Sequence, residues 1–199
     1  MLCLGIDACL GHCSVALMRG DVILAQCSEG MARGHVERLA PMVSEILRDA
    51  GVVPAALDRI GVTCGPGGFT GARLGAAFVR GLALASGACA VGVTTLEALA
   101  FPHLTRPVVV ALDGRRGDLF VQRFATGAGE SDPVAIPVEH LAGFLKAHGS
   151  PLLVGPHDVP PIDPADVARI AAGQGQPEIP RPLYLRAPDA KIAARPVLR

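Results

Sequence analysis

The stretch Ile60–Gly87, IGVTCGPGGFTGARLGAAFVRGLALASG, decides how the rest of the chain is read. A β-branched run (Ile60, Val62, Thr63) leads into Gly65-Pro66-Gly67-Gly68, and a helix rich in small residues starts near Thr70. Strand, glycine turn and helix make an α/β unit. The loop has two readings. Backbone N–H groups around Gly65, Gly67, Gly68, Thr70 and Gly71 could approach an anion at the helix N-terminus. Equally, the glycines could do no more than join a strand tightly to a helix. No Gly-Lys-Ser/Thr follows, so this is not a Walker loop, nor is it the dinucleotide fingerprint of a first βαβ unit.

The helix that follows carries two charges between Gly71 and Ala85, Arg73 and Arg80, which are seven apart and share a face. A helix apolar nearly all round must be covered on more than one side. Its own sheet covers one. The other needs a second helix of the same domain or a second protein molecule, and both remain open on residue types alone.

Half of the 199 residues are hydrophobic, 18% are charged, and there are 24 Gly and 17 Pro. That is a globular composition with many turns. Trp is absent and Tyr occurs once, so the core must be Ala, Val, Leu and Ile. Formal net charge is zero, with two lysines, Lys146 and Lys191, and no basic run longer than Arg115-Arg116. A protein holding a nucleic acid alone needs several phosphate-neutralising cations on one surface, and this sequence advertises no such cluster. Arg80 interrupts the most hydrophobic region, leaving no uncharged run near the ~18 residues of a membrane span. Asp7 breaks the N-terminal apolar run, and no basic region precedes it, so no secretory signal is expected and the cytoplasm is the expected compartment. Six cysteines (Cys3, Cys9, Cys13, Cys27, Cys64, Cys89) lack a C-x-x-C pair and read as reduced thiols. Cys9, His12 and Cys13 lie close, but a second ligand pair is missing, so no metal is expected.

Along the chain, residues 2–8, 13–18 and 22–28 read as strands joined by tight turns, an antiparallel meander. A helix follows over about 35–50, with Val36, Leu39, Ala40, Val43 and Leu47 as its apolar stripe, widened by Met42 and Ile46. Pro41 within it predicts a break or bend near Ala40. A strand at 59–64, the central helix, a strand at 89–93 and a helix at 95–100 complete the first part. From about Arg106 the pattern restarts: VALDGRRGDLFVQR matches LGIDACLGHCSVAL in placing an acid (Asp113, Asp7) at a strand end and a new strand about five residues later. Strands near 133–137 and 151–155 and helices at 139–148 and 164–172 follow. The tail is expected to be irregular or extended, with a strand at Leu183–Leu185. Two β-β-β-α-β-α halves, the second abbreviated, imply an α/β protein of actin-like (ASKHA) duplicated architecture, divided into 1–104 and a smaller 105–199.

GPGGFTGARLG at 65–75 resembles the signature G-P-G-S-F-T-G-x-R-x-G of the bacterial TsaB (YeaZ) family. In order along the chain, ID at 6–7 with CSVAL at 13–17, HVERLAPM at 35–42, TTLEALA at 94–100, LDGRRGDLF at 112–120 and PLYLRAPDAK at 182–191 are similar to further family segments. The resemblance implies an accessory subunit without catalysis or cofactor of its own. In this reading it binds and activates TsaD, the transferase that threonylcarbamoylates adenosine 37 of ANN-reading tRNAs. The ATPase TsaE joins the assembly, tRNA is met only through the complex, and the isolated subunit forms homodimers through the same helical surface. The expected interface is His35, Leu39, Met42, Val43 and Ile46 on one helix with Arg73, Ala76, Val79, Arg80 and Ala83 on the other. TsaD's H-x-x-x-H metal pair corresponds to Thr95 and Leu99, which cannot supply imidazoles. Two positions depart from the family pattern: Gly68 replaces Ser, and Ala8-Cys9 replaces Thr-Ser. The alternative is an actin-like small-molecule kinase or phosphotransferase, with Asp7 and Asp113 as its acids.

Overall fold

The computed structural model describes residues 1–126, 128–129 and 131–186. Leu2–Asp7 (β1), His12–Arg19 (β2) and Val22–Gly30 (β3) form the antiparallel meander. Helix α1 is His35–Asp49, then Arg59–Thr63 (β4), Phe69–Ser86 (α2), Cys89–Val93 (β5) and Thr95–Ala100 (α3). The second part contributes Val108–Asp113 (β6), Asp118–Ala125 (β7), Ala128–Gly129 (β8), Val134–Pro137 (β9), Leu141–Ala147 (α4), Leu152–Val154 (β10) and Pro164–Gly173 (α5).

One sheet runs β3-β2-β1-β4-β5, the other β10-β6-β7-β8, with β9 also on β7. The halves share a plan. In each, the first strand pairs antiparallel with the second and parallel with a later one, β1 with β4 and β6 with β10. Among the described residues the second sheet has no counterpart of the outer parallel strand that β5 supplies to the first. The fold is the actin-like α/β duplication with its second half abbreviated.

Side-chain alternation sorts the strands into layers. Leu2, Leu4 and Ile6 of β1 face α1 and α2, in a core with Leu39, Met42, Val43, Ile46, Val62 and Val79. On the other face of β1, Cys3 meets Ala165 and Ala168 of α5. Val108, Val110 and Leu112 of β6 pack with α3 and α5 residues such as Leu96, Val167 and Ile170, while Ala111 turns to the far side under Leu141 and Phe144 of α4. Hence α3 and α5 are sandwiched between the two sheets.

The seat of α5 is made by two glycines. Gly5 and Gly61 are register partners across β1 and β4. A Cβ on Gly5 would strike the Pro164 carbonyl oxygen, and one on Gly61 would lie 2.7 Å from Ala171 Cβ. The Ala-rich face of α5 therefore rests directly on sheet backbone. Asp163 caps its start by accepting from Ala165 N–H at 2.9 Å, and Arg59 donates to the Ala171 and Gln174 carbonyls at its end. We propose that a division at 104/105 separates the two sheets and not the helices, since α5 returns from the second part to pack on the first.

Three local expectations are corrected. Helix α1 runs through Pro41 without the break expected near Ala40. Proline removes one donor, to the Glu37 carbonyl, while five buried side chains hold the helix to its sheet on both sides of that position. Leu183–Leu185 is not a strand; the segment makes a single sheet-edge bond there, Leu183 N–H to the Cys64 carbonyl at 2.8 Å. The helix expected at 139–148 is a 3₁₀ turn, Val138–His140, continued by α4. Residues 187–199, including part of the family-like 182–191 segment, lie outside the described residues.

Candidate functional site

The two sheets leave a cleft of about 520 Å³ between the C-terminal ends of β1 and β6. The β1–β2 turn (Ala8, Cys9, Leu10, Gly11) and the start of α2 (Gly67 to Gly71) form one wall, with Asp113 and Arg115 opposite and His35 at the side. Of the loop residues expected to contact a ligand, Gly67, Gly68, Thr70 and Gly71 line this cleft. Gly65 does not. It sits behind, in the left-handed region at φ 98°, its carbonyl accepting from Thr95 N–H at 2.8 Å.

The glycines face the turn more closely than any ligand could. Gly68 N–H donates to the Cys9 carbonyl at 2.7 Å. A Cβ on Gly67 would stand 2.6 Å from that same oxygen, and a Cβ on Gly71 would overlap the Ala8 carbonyl. Close packing of two backbone segments explains these positions without a bound anion.

Asp7, the acid at the end of β1, is fully buried. Its Oδ1 accepts from Thr63 Oγ1 at 2.6 Å and from Cys9 N–H at 3.0 Å, while Oδ2 has no hydrogen-bond partner among the described residues. Burial raises its pKa, opposed by the Thr63 and Cys9 donors and by the positive fields of His35 and His12. Cys9 is equally enclosed. Its thiol donates to the Thr63 carbonyl at 3.2 Å, and desolvation with the neighbouring Asp7 charge pushes its pKa up to about 12. Such a thiol is not a nucleophile. His35 donates from Nε2 to the His12 carbonyl at 3.2 Å, a contact that ties α1 to β2.

Asp113, the equivalent acid of the second half, is exposed. It accepts from Arg115 N–H at 2.7 Å and holds a turn in which Arg115 and Arg116 take φ of 61° and 57°. Arg186 braces that turn from outside, donating to the Arg115 carbonyl and pairing with Asp118. Thr95 and Leu99 are buried in the core, and no cluster of His, Cys, Asp or Glu suited to a metal occurs among the described residues.

The expected partner face needs correction. Leu39, Met42, Val43, Ile46, Ala76, Val79 and Ala83 are all buried within the chain's own core, because these are the sides of α1 and α2 that cover the first sheet. Arg73 and Arg80 are exposed and His35 half-buried. The solvent side carries a different apolar set: Leu84 is 88% exposed and Val36 57%, with Ala40, Pro41, Ala77 and Gly81 also exposed. Those residues are as apolar as the buried ones, so composition could not separate the two sides.

A family model described as TsaD, tRNA N6-adenosine threonylcarbamoyltransferase, matches residues 27–151. An uncharacterized protein of Mycobacterium leprae is 36% identical over 168 residues, 80% of this chain and 46% of that one. The tRNA threonylcarbamoyladenosine biosynthesis protein TsaB of Escherichia coli is 34% identical over 124 residues, 60% of this chain and 53% of its own. The matched stretches thus span about half the length of these two relatives. A Pseudomonas aeruginosa structure, solved as an uncharacterized protein with similarity to peptidase YeaZ, superposes with a TM-score of 0.77 at 25% identity, covering 93% of this chain and 99% of that one.

Proposed function

This chain belongs to the TsaB (YeaZ) family, and from that membership we propose that it is a partner subunit in the biosynthesis of threonylcarbamoyladenosine in tRNA. In this reading it binds and activates a TsaD transferase acting on adenosine 37 of ANN-decoding tRNAs, in the cytoplasm, with TsaE joining the assembly. It has no chemistry of its own and meets tRNA through the complex. In TsaD's absence a second copy takes the same helical surface.

The observation that carries the proposal is the outer face of α1 and α2, where Leu84 is 88% exposed among small residues. Leu84 does not stand alone there but with Val36, Ala40, Pro41, Ala77 and Gly81 exposed on the same two helices, and small neighbours permit helices of a partner to approach closely. Among the described residues no helix is long and apolar enough to cross a membrane, so a bilayer-spanning role does not explain the exposure. The phosphotransferase alternative requires Asp7 to reach a nucleotide-bound metal, whereas its carboxyl is buried beneath the glycine loop.

The test is co-purification with TsaD and a tRNA-modification assay with and without this chain. Leu84→Glu, at a position that touches solvent, should weaken capture of TsaD by about tenfold or more without changing the fold of the isolated chain. Undiminished capture and full modification by this variant would refute the surface. Val79→Glu is the wrong variant for that purpose, because Val79 is fully buried and its loss reports on folding.

A further inference from the structure

A second cavity, of about 310 Å³, opens beside the first where α2 begins. The chain has six Phe, one Tyr and no Trp, yet Phe69, Phe120 and Tyr184 gather at this one cavity. Phe69 comes from the first turn of α2, Phe120 from β7 of the second sheet and Tyr184 from the segment that crosses between them. Phe69 and Tyr184 are 57% and 48% exposed, their ring centroids 5.5 Å apart. Arg73 lies with its guanidinium carbon 3.5 Å from the Phe69 ring centroid and donates from Nε to the Tyr184 hydroxyl at 2.6 Å. Pro66, Ala72, Leu183 and Leu185 complete an otherwise apolar lining.

The electrostatics are one-sided. Among the described residues no carboxylate lines the cavity, and Arg73 has a neutral hydroxyl as its partner with no acid paired to it. Arg186, also in the lining, has its charge met by Asp118. An aromatic side chain from a protein partner would fill the apolar space but leave the Arg73 charge unanswered. A planar ring carrying an anion answers both. Stacking against Phe, Tyr and Arg planes is how unpaired bases are held, with the guanidinium free to meet phosphate in its own plane.

We propose that the Phe69–Arg73–Phe120–Tyr184 cavity binds a nucleobase with its attached phosphate, supplied by a free mononucleotide or by an unpaired residue of RNA. The binding involves no phosphoryl transfer. The site is separate from the buried Asp7, and although Arg73 shares the exposed side of α2 with Ala77 and Leu84, the titration uses this chain without TsaD, so its failure leaves the partner-subunit reading untouched.

Because Tyr184 is the only tyrosine, its ring resonances report the site alone. The full chain is titrated by NMR with AMP and with a single-stranded adenylate trimer, using adenosine and inorganic phosphate as controls. AMP and the trimer should shift the Tyr184 signals saturably, with adenosine at least about tenfold weaker for want of the anion. Arg73→Gln should weaken AMP binding by about tenfold, as should Phe69→Leu, which keeps bulk but loses the ring. Tyr184→Phe, followed by calorimetry, removes only the hydroxyl that holds Arg73 and should also weaken binding. Tighter binding of the trimer than of AMP assigns the site to RNA, and equal binding to the free nucleotide. No saturable shift from either, an equal shift from phosphate alone, or unchanged AMP affinity in folded Arg73→Gln would overturn the proposal.

Discussion

Replacing Gly71 with Ala separates the two readings of the glycine loop. Gly71 is the third residue of α2, in helical conformation, so alanine carries no backbone penalty there. By propensity alone the exchange should stabilise the helix by up to about 1 kcal/mol. The structure reverses that sign. The added Cβ would overlap the Ala8 carbonyl and lie 2.9 Å from the Ala8 carbonyl carbon, closer than the 3.0 Å that real Cβ atoms keep. Neither side gives easily, since the β1–β2 turn is held by Cys9 N–H to Asp7 and by Gly68 N–H to the Cys9 carbonyl. Overpacking of this kind costs about 1–3 kcal/mol, more where backbone must move. Gly143→Ala is the matched control, an exposed position in α4 with nothing within 4 Å of the new methyl. The two variants should differ by about 2–4 kcal/mol, or about 4–16 °C in Tm for a chain this size. Differential scanning calorimetry reads this directly. A Gly71→Ala protein as stable as Gly143→Ala would show that the loop has room to spare, and the anion-binding reading of these glycines would regain its footing.

Two further outcomes follow from the charged groups. Asp7 has its pKa raised by burial, so the folded state holds its proton more tightly than the unfolded chain, and stability falls as pH rises from the ordinary carboxylate range through the folded pKa. Asp7→Asn keeps an oxygen for Thr63 and Cys9 and should abolish that segment of the stability–pH curve; an unchanged curve in chemical denaturation counts against a strained carboxyl. Arg38 holds Glu29 and Glu45 at 2.6 and 2.8 Å and lowers the pKa of both. Their contribution is present above the ordinary glutamate range and lost as pH falls through the lowered values, so Arg38→Ala should destabilise at neutral pH and be nearly silent in acid.

The strands and helices were legible because their periods are clean. Cys89–Val93 and Thr95–Ala100 fall on the strand expected at 89–93 and the helix expected at 95–100, and in the structure Thr94 caps that helix by accepting from Glu97 N–H. The duplication was legible from two strand-end acids. What the sequence hid was direction. In a helix like α2, Val79 and Leu84 are equally apolar letters, and the difference between 0% and 88% exposure is set by which side meets β4. The seat of α5 was hidden for a related reason: Gly5 and Gly61 become meaningful only when parallel pairing sets them side by side. Tyr184 fell in a stretch read as a strand, and neither its place nor that of Arg186 at a cavity was legible, because the segment holding them makes isolated contacts rather than an element.

The two halves of the cleft keep one frame and place their strand-end acids differently. Asp7 and Asp113 occupy matching strand ends, each followed by a turn into an antiparallel partner. After Asp7 the turn is roofed by α2, whose glycines let it descend until the carboxyl is sealed against Thr63 and Cys9. After Asp113 no helix among the described residues descends, and the acid accepts from the backbone of its own turn. One acid is therefore too deep to meet a solvated metal and the other is anchored locally. Glycine at positions 67 and 71, both within the family-like motif, lets α2 close over the turn that seals the first of them. A larger residue at Gly71 would have to lift α2 and with it the outer helical face offered to a partner, which couples the cleft to the proposed interface through one rigid helix.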